Sequence, residues 1–240
     1  MPHYDVVILG AGAAGMMAAI EAGRRGRSVL LVDHGKYAGE KIRISGGGRC
    51  NFTNINATID KGRDRFLSAN PRFALSALSR YTPEMFIAMV KHHGIQFHEK
   101  TLGQLFCDGP ATQINTMLLS EMRQAGVTLV LETGVEAVDR GTDGFSLQLS
   151  TSSITCDSLI VATGGKSIPK MGATGLGYQL ASQFGLRLTE TRPALVPLTF
   201  EGHLKEACKA LSGVSADVVV RCGKARFEEA LLFTHRGLSG

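Results

Sequence analysis

The hydrophobic positions along the chain follow several periods, and each period predicts a different element. Tyr4–Leu9 and 27–33 are aliphatic runs typical of strands buried on both faces, and the alanine-rich segment between them predicts a helix that ends near Arg25. Apolar residues at three- and four-residue spacings predict helices over 71–81, 83–94 and 110–125. Alternation of period two over 144–161 predicts antiparallel strands that lead into a further buried strand.

The pattern changes near residue 193 and becomes richer in strands. The segments 194–200 and 216–222 are the predicted strands of this region. We therefore predict an α/β fold with a domain over 1–192 and a second, smaller β-rich domain that begins within 193–240.

Three glycines stand where the first predicted strand turns into the first predicted helix. Gly10, Gly12 and Gly15 form a GxGxxG pattern, and Asp33 ends the second predicted strand. The first glycine permits a tight turn, the second admits a pyrophosphate close to the backbone, and the third lets helix and strand pack closely. An acidic residue in that place accepts hydrogen bonds from ribose hydroxyls. The pattern predicts a Rossmann-like, dinucleotide-binding unit.

A polar, glycine-rich segment follows at 34–54 and is predicted to be a loop. Its positive charges and hydrogen-bonding groups suit the middle of a long, phosphorylated cofactor. A later strand end at 162–164 carries glycine where backbone can pass close to a ligand. The predicted cofactor contacts outside the first glycines and Asp33 are Ala14, Lys41, Ser45, Gly47, Gly48, Arg49, Asn51, Ala162, Thr163 and Gly164.

Composition and charge narrow the choice of function. Of the 240 residues, 44% are hydrophobic and 20% are charged, as in a typical globular protein. The net charge of +5 comes without a long basic run, so we predict no nucleic-acid partner. The five cysteines form no CxxC pair, which favours a reducing, cytoplasmic location. Val6–Ile20 carries no charge but is too short to span a bilayer, so we predict no membrane association.

The segment 45–54, SGGGRCNFTN, together with Lys41 before it, resembles the signature of the BaiN/YhiN-like FAD-dependent oxidoreductases, which are glutathione-reductase-like flavoproteins. Segments at 101–114, 156–185, 192–200 and 231–240 are also similar to that family. The resemblance implies FAD as the cofactor and a Rossmann-like FAD-binding domain over 1–192. It also implies that 193–240 is the incomplete start of an inserted domain, because the family continues beyond the sequence THRGLSG.

The resemblance implies an oxidoreductase that transfers hydride between flavin and a small organic substrate, with NAD(P)H as a candidate electron donor. It places the backbone of Val135 against the adenine, although an ordinary core valine explains that position equally well. No catalytic acid or base is assigned; Arg49 and His235 are polar candidates that also have phosphate-binding and structural interpretations. Two alternatives stay open. One is a flavin-free, NAD-binding dehydrogenase, and the other is a non-catalytic flavin-binding or RNA-modification accessory protein.

Three further features have two interpretations each. Cys50 is either a redox-active thiol or a buried one. His92, His93 and His98 could form a metal cluster, but cations near a helix C-terminus are expected on dipole grounds alone, and we predict no metal site. The glycines at 172–177 resemble a nucleotide loop, but no strand precedes them, so they are predicted to begin a helix.

Overall fold

The computed structural model describes residues 1–61, 66, 68, 70–193 and 196–239. The chain divides into two compact units, Met1–Arg187 and Leu188–Gly240. The predicted strand over 194–200 lies partly outside the described residues, and its described part forms a strand only at Leu198–Thr199.

The first unit contains both strands and helices, which alternate one by one from residue 3 to residue 54. Its strands are β1 (His3–Leu9), β2 (Val29–Val32), β3 (Asn51–Asn54), β4 (Phe97–Glu99), β5 (Gln104–Cys107), β6 (Thr128–Val130), β7 (Val135–Gly141), β8 (Gly144–Leu149) and β9 (Ser153–Val161). Its helices are α1 (Ala13–Arg24), α2 (Glu40–Gly48), α3 (Leu75–Arg80), α4 (Pro83–His92), α5 (Thr112–Gln124) and α6 (Leu176–Gln183).

A six-stranded sheet in the order β6-β2-β1-β9-β8-β7 forms the centre of this unit. The first four strands are parallel neighbours, and β8 and β7 extend the sheet in antiparallel pairing. Because side chains alternate along β1, Ile8 packs into the cluster that contains α1 and α5, while Val7 and Leu9 pack into the cluster on the opposite face. The α/β, Rossmann-like fold predicted from the sequence is confirmed.

The second, smaller sheet of this unit overturns the loop predicted at 34–54. That segment contains α2 and β3, and β3 joins an antiparallel sheet in the order β3-β5-β4. The glycines still break the helix, because Gly46 and Gly47 have left-handed φ angles of 57° and 64°. Strand β3 forms despite its polar sequence because Phe52 packs on the aromatic ring of Phe97, at 5.3 Å between ring centroids.

Two predicted helices differ from the structure in their details. The helix predicted from Pro71 begins only at Leu75, after a turn over 71–74. In contrast, α4 begins with Pro83 in its first turn, where proline has no amide hydrogen to lose.

The second unit is a small antiparallel sheet with one described helix. Its elements are β10 (Leu198–Thr199), α7 (Gly202–Ala210), β11 (Ser215–Cys222), β12 (Ala225–Thr234) and β13 (Gly237–Ser239). The strand order is β10-β13-β12-β11, and β11 and β12 form a long hairpin. The β-rich second domain predicted from the sequence is confirmed as a fold class.

Candidate functional site

The three glycines after β1 have distinct geometric reasons to lack a side chain. Gly10 has a φ of 103°, and a Cβ atom there would lie 2.6 Å from the carbonyl oxygen of Ala162. A Cβ atom at Gly15 would lie 1.8 Å from the carbonyl oxygen of Gly10. At Gly12, by contrast, no heavy atom of the described residues lies within 4 Å of that position, apart from its own neighbours along the chain. Packing therefore demands the first and third glycines, while the second faces open space.

That open space is a cavity of about 440 Å³ at the carboxyl ends of β1, β2 and β9. Its lining comes from 10–14, Met17, 33–35, Tyr37, 39–42, Ser45, 50–52, Phe86, Ile114, Leu118, 162–164 and 171–173. A second cavity of about 330 Å³ is also lined by Gly10, Asp33, His34, Thr163 and Gly172, and Val135 contributes to its wall. The two cavities thus have a shared border, and an extended ligand could occupy both.

The start of α1 favours an anion in the larger cavity. Gly12 is the N-cap of α1, and among the described residues no side chain caps this end. The first turn also carries no acidic residue. Backbone N–H groups at a helix start and the positive end of the helix dipole attract a phosphate or pyrophosphate.

Asp33, which follows β2, is hydrogen-bonded to the glycine turn after β1. Its Oδ2 accepts a hydrogen bond from the backbone N–H of Ala11 at 2.6 Å, and its Oδ1 accepts one from Gly35 at 2.7 Å. The side chain is 18% exposed, and Asp33 lines both cavities. An ionised carboxylate has about four acceptor positions, so two backbone bonds leave capacity for ribose hydroxyls.

The polar residues of α2 and β3 have more structural contacts than the sequence suggested. Lys41 lines the cavity, and its Nζ donates to the hydroxyl of Ser167 at 3.0 Å. The hydroxyl of Ser45 donates to the carbonyl of Ile42 at 2.7 Å. The guanidinium of Arg49 donates to the backbone carbonyl of Asp108 instead of facing the cavity.

Of the fifteen predicted cofactor contacts, ten line the larger cavity: Gly10, Gly12, Ala14, Asp33, Lys41, Ser45, Asn51, Ala162, Thr163 and Gly164. Val135 lines only the second cavity. Gly15, Gly47, Gly48 and Arg49 line neither. The carbonyl of Gly48 instead accepts a hydrogen bond from the N–H of Ala111 at 2.7 Å. This bond connects the end of α2 to the residue that precedes α5.

Sequence reasoning missed much of the apolar wall. Phe86, Ile114 and Leu118 line the cavity from α4 and α5, which are distant in the sequence. Their helical spacing predicts burial but gives no sign of a ligand. Tyr37 was also missed, although it stands four residues after Asp33; Lys36 and Arg43 flank its ring at 5.4 and 5.0 Å from the centroid.

The cysteine that lines the cavity is a buried thiol. Burial raises the pKa of Cys50, and the nearby hydroxyl of Ser45 partly opposes that shift. Burial, followed by the nearby Cys50 and Asp108, raises the pKa of Cys107 to about 11. All five cysteines, each of which the structure describes, are free. At neutral pH both buried thiols are therefore protonated and weakly nucleophilic.

Two of the three histidines considered for a metal cluster have carboxylate partners of their own. His93 Nε2 lies 2.6 Å from Glu121, and His98 Nδ1 lies 2.6 Å from Asp108. Within the described residues, no group of three or more metal-ligating side chains comes together. His235 lies in the second unit, in the turn between β12 and β13.

The glycine turn, the acidic strand end and the cavity that both border define a dinucleotide-binding protein of the Rossmann class. Residues 4–231 match the model of the HI0933-like protein Rossmann domain, and the chain belongs to that family. The Rossmann domain of this family binds FAD, and the uncapped helix start, the open space at Gly12 and the two bordering cavities fit that cofactor. FAD, predicted from the sequence, is confirmed as the cofactor.

Several curated relatives are similar over most of the chain. A ribosomal RNA dihydrouridine synthase of Escherichia coli (strain K12) is 48% identical over 241 residues, which cover all of this chain and 59% of that protein. A 3-dehydro-bile acid delta(4,6)-reductase of Clostridium scindens is 30% identical over 82% of this chain and 47% of the relative. The chain thus spans about three fifths of the length of the first relative. The predicted family is confirmed at the level of this flavoprotein family. The narrower assignment to its BaiN/YhiN-like branch stays a prediction.

Among solved structures, the 3-ketosteroid-delta4-(5alpha)-dehydrogenase of Rhodococcus jostii RHA1, crystallised with 4-androstene-3,17-dione, has a TM-score of 0.52 at 15% identity. The match covers 69% of this chain and 46% of that one. At this identity the likeness shows the fold alone. None of the helices in the described part of the chain combines the length and apolar character needed to cross a membrane.

Proposed function

We propose that this chain is the FAD-binding part of a reductase that converts uridine in ribosomal RNA to dihydrouridine. The observation that carries the proposal is a cavity built for FAD in a chain whose entire length is 48% identical to a ribosomal RNA dihydrouridine synthase. The domain over 1–192 would hold the cofactor, and 193–240 would begin a domain that contacts the substrate. This proposal departs from the expectation of no nucleic-acid partner, which rested on overall charge.

The residues of the glycine turn would bind and orient the cofactor. Backbone N–H groups at the start of α1 would bind the pyrophosphate, with Gly12 leaving room for it. Asp33 would accept from the ribose while it holds the turn in place. Val135, in the second cavity, would lie against the adenine.

The other end of the larger cavity would enclose the flavin. Lys41, Ser45 and Asn51 line one side of it, and 162–164 line another. Phe86 and Leu118 close the apolar side, which would exclude water from the ring.

Dihydrouridine differs from uridine by two hydrogens across one carbon–carbon double bond, so the reaction needs a hydride and a proton. Bound FAD supplies the hydride chemistry. We propose NAD(P)H as the electron donor. Arg49, one of the two polar candidates, is bound to the carbonyl of Asp108 and does not line the cavity.

A small enone is the second candidate substrate. The bile-acid reductase is 30% identical, and a vinyl phenol reductase of Lactiplantibacillus plantarum is 26% identical over 85% of this chain. Both names describe reduction of small molecules, as the sequence-based expectation did. The same cofactor site would serve either substrate, because substrate choice depends on what surrounds the flavin.

The test uses the full-length protein that contains this chain. Its visible absorbance reports bound flavin, and anaerobic titration with NADH and NADPH identifies the donor. Ribosomal RNA transcribed without modifications is then incubated with enzyme and donor, and its nucleosides are analysed by mass spectrometry. We expect dihydrouridine at a specific position. A flavin-loaded protein that oxidises NAD(P)H with a small enone but leaves ribosomal RNA unchanged would replace this proposal with the second candidate.

A further inference from the structure

A row of three side chains connects the cofactor cavity with the outer edge of the small sheet. Asn51 of β3 pairs with Phe106 of β5, and Phe106 pairs with His98 of β4. Asn51 lines the cavity. Because neighbouring strands lie about 4.8 Å apart, His98 stands on the order of 10 Å from Asn51 along this row. The row therefore ends close to the cavity but outside it.

The ring at the end of the row has a defined orientation and an accessible face. The rings of His98 and Phe106 are stacked, with 18° between their planes and 6.4 Å between centroids. His98 Nδ1 lies 2.6 Å from Asp108 Oδ1, and the His98 side chain is 48% exposed. Phe106, in contrast, is only 7% exposed. The His98 side chain is thus partly exposed to solvent, and its contacts with Phe106 and Asp108 restrict the rotation of its ring.

Two cationic side chains lie beside the stacked pair of rings. Lys100 Nζ lies 4.2 Å from the centroid of Phe106, and Arg49 donates to the carbonyl of Asp108. The carboxylate of Asp108 is paired with His98. Glu99 alternates to the opposite face of β4, since its Cα partner is Leu105. We call His98, Phe106, Lys100 and Arg49 the His98 platform.

We infer that the His98 platform binds single-stranded RNA, with a nucleobase stacked on the exposed face of His98 and with Lys100 and Arg49 contacting phosphates. The inference rests on the proposed function and adds the place where RNA beside the target uridine is held. Sequence-specific RNA recognition commonly targets unpaired bases that stack on aromatic side chains. A few well-placed cations suffice for such a strand, so a net charge of only +5 does not oppose RNA binding.

The test compares variants of the full-length, flavin-loaded protein. The probe is a fluorescein-labelled, uridine-containing, single-stranded oligoribonucleotide, and fluorescence anisotropy gives its dissociation constant. His98→Ala should weaken binding roughly 5- to 150-fold, as expected for the loss of one stacked base. His98→Phe should retain most of the affinity because it keeps the ring. Lys100→Gln should weaken binding and lower the slope of log K against log salt by about 0.7.

The matched control is His92→Ala, which removes another exposed histidine at the end of α4. This variant should bind the probe like the wild type. Flavin absorbance and NAD(P)H oxidation should stay unchanged in all variants, because the platform lies outside the cavity.

The outcomes separate this inference from the proposed function. If the wild type makes dihydrouridine in ribosomal RNA while His98→Ala binds the probe within twofold of it, the platform is not the RNA site. Loss of flavin from His98→Ala would overturn the inference too, by assigning His98 to the cofactor site. A wild type that neither binds the probe nor modifies RNA would refute both the platform and the proposed function.

Discussion

Replacing Gly12 by valine should weaken cofactor binding with little effect on the fold. Gly12 has φ of −78° and ψ of −176°, an extended conformation that valine adopts readily. Apart from the neighbours of Gly12 along the chain, no heavy atom of the described residues lies within 4 Å of the added Cβ atom. The new side chain would therefore enter the cavity without disturbing its walls.

The two expected effects have different sizes. Valine is a poorer N-cap than glycine, so the free energy of unfolding of the flavin-free protein should fall by at most about 1 kcal/mol. The pyrophosphate would lose close approach to the start of α1. One hydrogen bond to a charged group contributes about 1.5–3 kcal/mol, so the dissociation constant for FAD should rise at least roughly 10- to 150-fold.

Gly15→Ala provides the contrast. Its Cβ atom would lie 1.8 Å from the carbonyl oxygen of Gly10, so the glycine turn or α1 must move. Overpacking of this kind costs about 1–3 kcal/mol or more, and we expect both unfolding free energy and FAD affinity to fall.

The assays are urea denaturation of the flavin-free proteins and titration of FAD followed by its fluorescence. A Gly12→Val protein that binds FAD with wild-type affinity would refute the placement of the pyrophosphate. Equal destabilisation by the two variants would refute the packing argument.

Three further predictions concern single residues. Asp33→Ala should weaken FAD binding. Because the carboxylate accepts two backbone hydrogen bonds, the variant should also lower the free energy of unfolding of the flavin-free protein by about 1.5–3 kcal/mol. Urea denaturation measures this loss of stability. The hydrogen bond from His93, followed by the nearby Arg24 charge, holds the pKa of Glu121 below its ordinary 4.5. The stability that ionised Glu121 adds to the fold is therefore complete above pH 4.5 and is lost as the pH falls through the lowered pKa. In Glu121→Gln, the free energy of unfolding should fall less steeply as the solution is acidified. Burial raises the pKa of Cys107 to about 11, so its thiol is protonated at neutral pH. Iodoacetamide should therefore label the exposed Cys222 in the folded protein and leave Cys107 unmodified, as peptide mass spectrometry would show.

Each of these predictions has its own control and contrary result. Asp33→Asn keeps an acceptor but adds a donor, so wild-type stability in both Asp33 variants would contradict the role of the carboxylate. Glu190→Gln removes a highly exposed partner of Arg192 and should leave acid stability unchanged. Labelling of Cys107 as fast as Cys222 would mean that the buried thiol is accessible or ionised.

The sequence by itself determined the unit β1–α1–β2 and the chemistry of its turn. Gly10, Gly12, Gly15 and Asp33 stand at spacings that only a strand, a tight turn and a helix bring together. These relations are local, within about thirty residues, so periodicity and glycine placement suffice to predict them. The sequence also predicted the antiparallel strands β8 and β9, because their alternation is equally local.

The tertiary structure alone decided how the remaining walls assemble. The segment 34–54 was predicted to be a loop, yet β3 forms within it because it can pair with β5, some fifty residues later. Arg49 was predicted to contact the cofactor, but the fold brings the carbonyl of Asp108 to it, outside the cavity. Phe86 and Leu118 reach the cavity only because α4 and α5 pack against the same core. Such contacts depend on strand register and on helix packing between distant segments. Local patterns of polarity do not determine which distant segments come together.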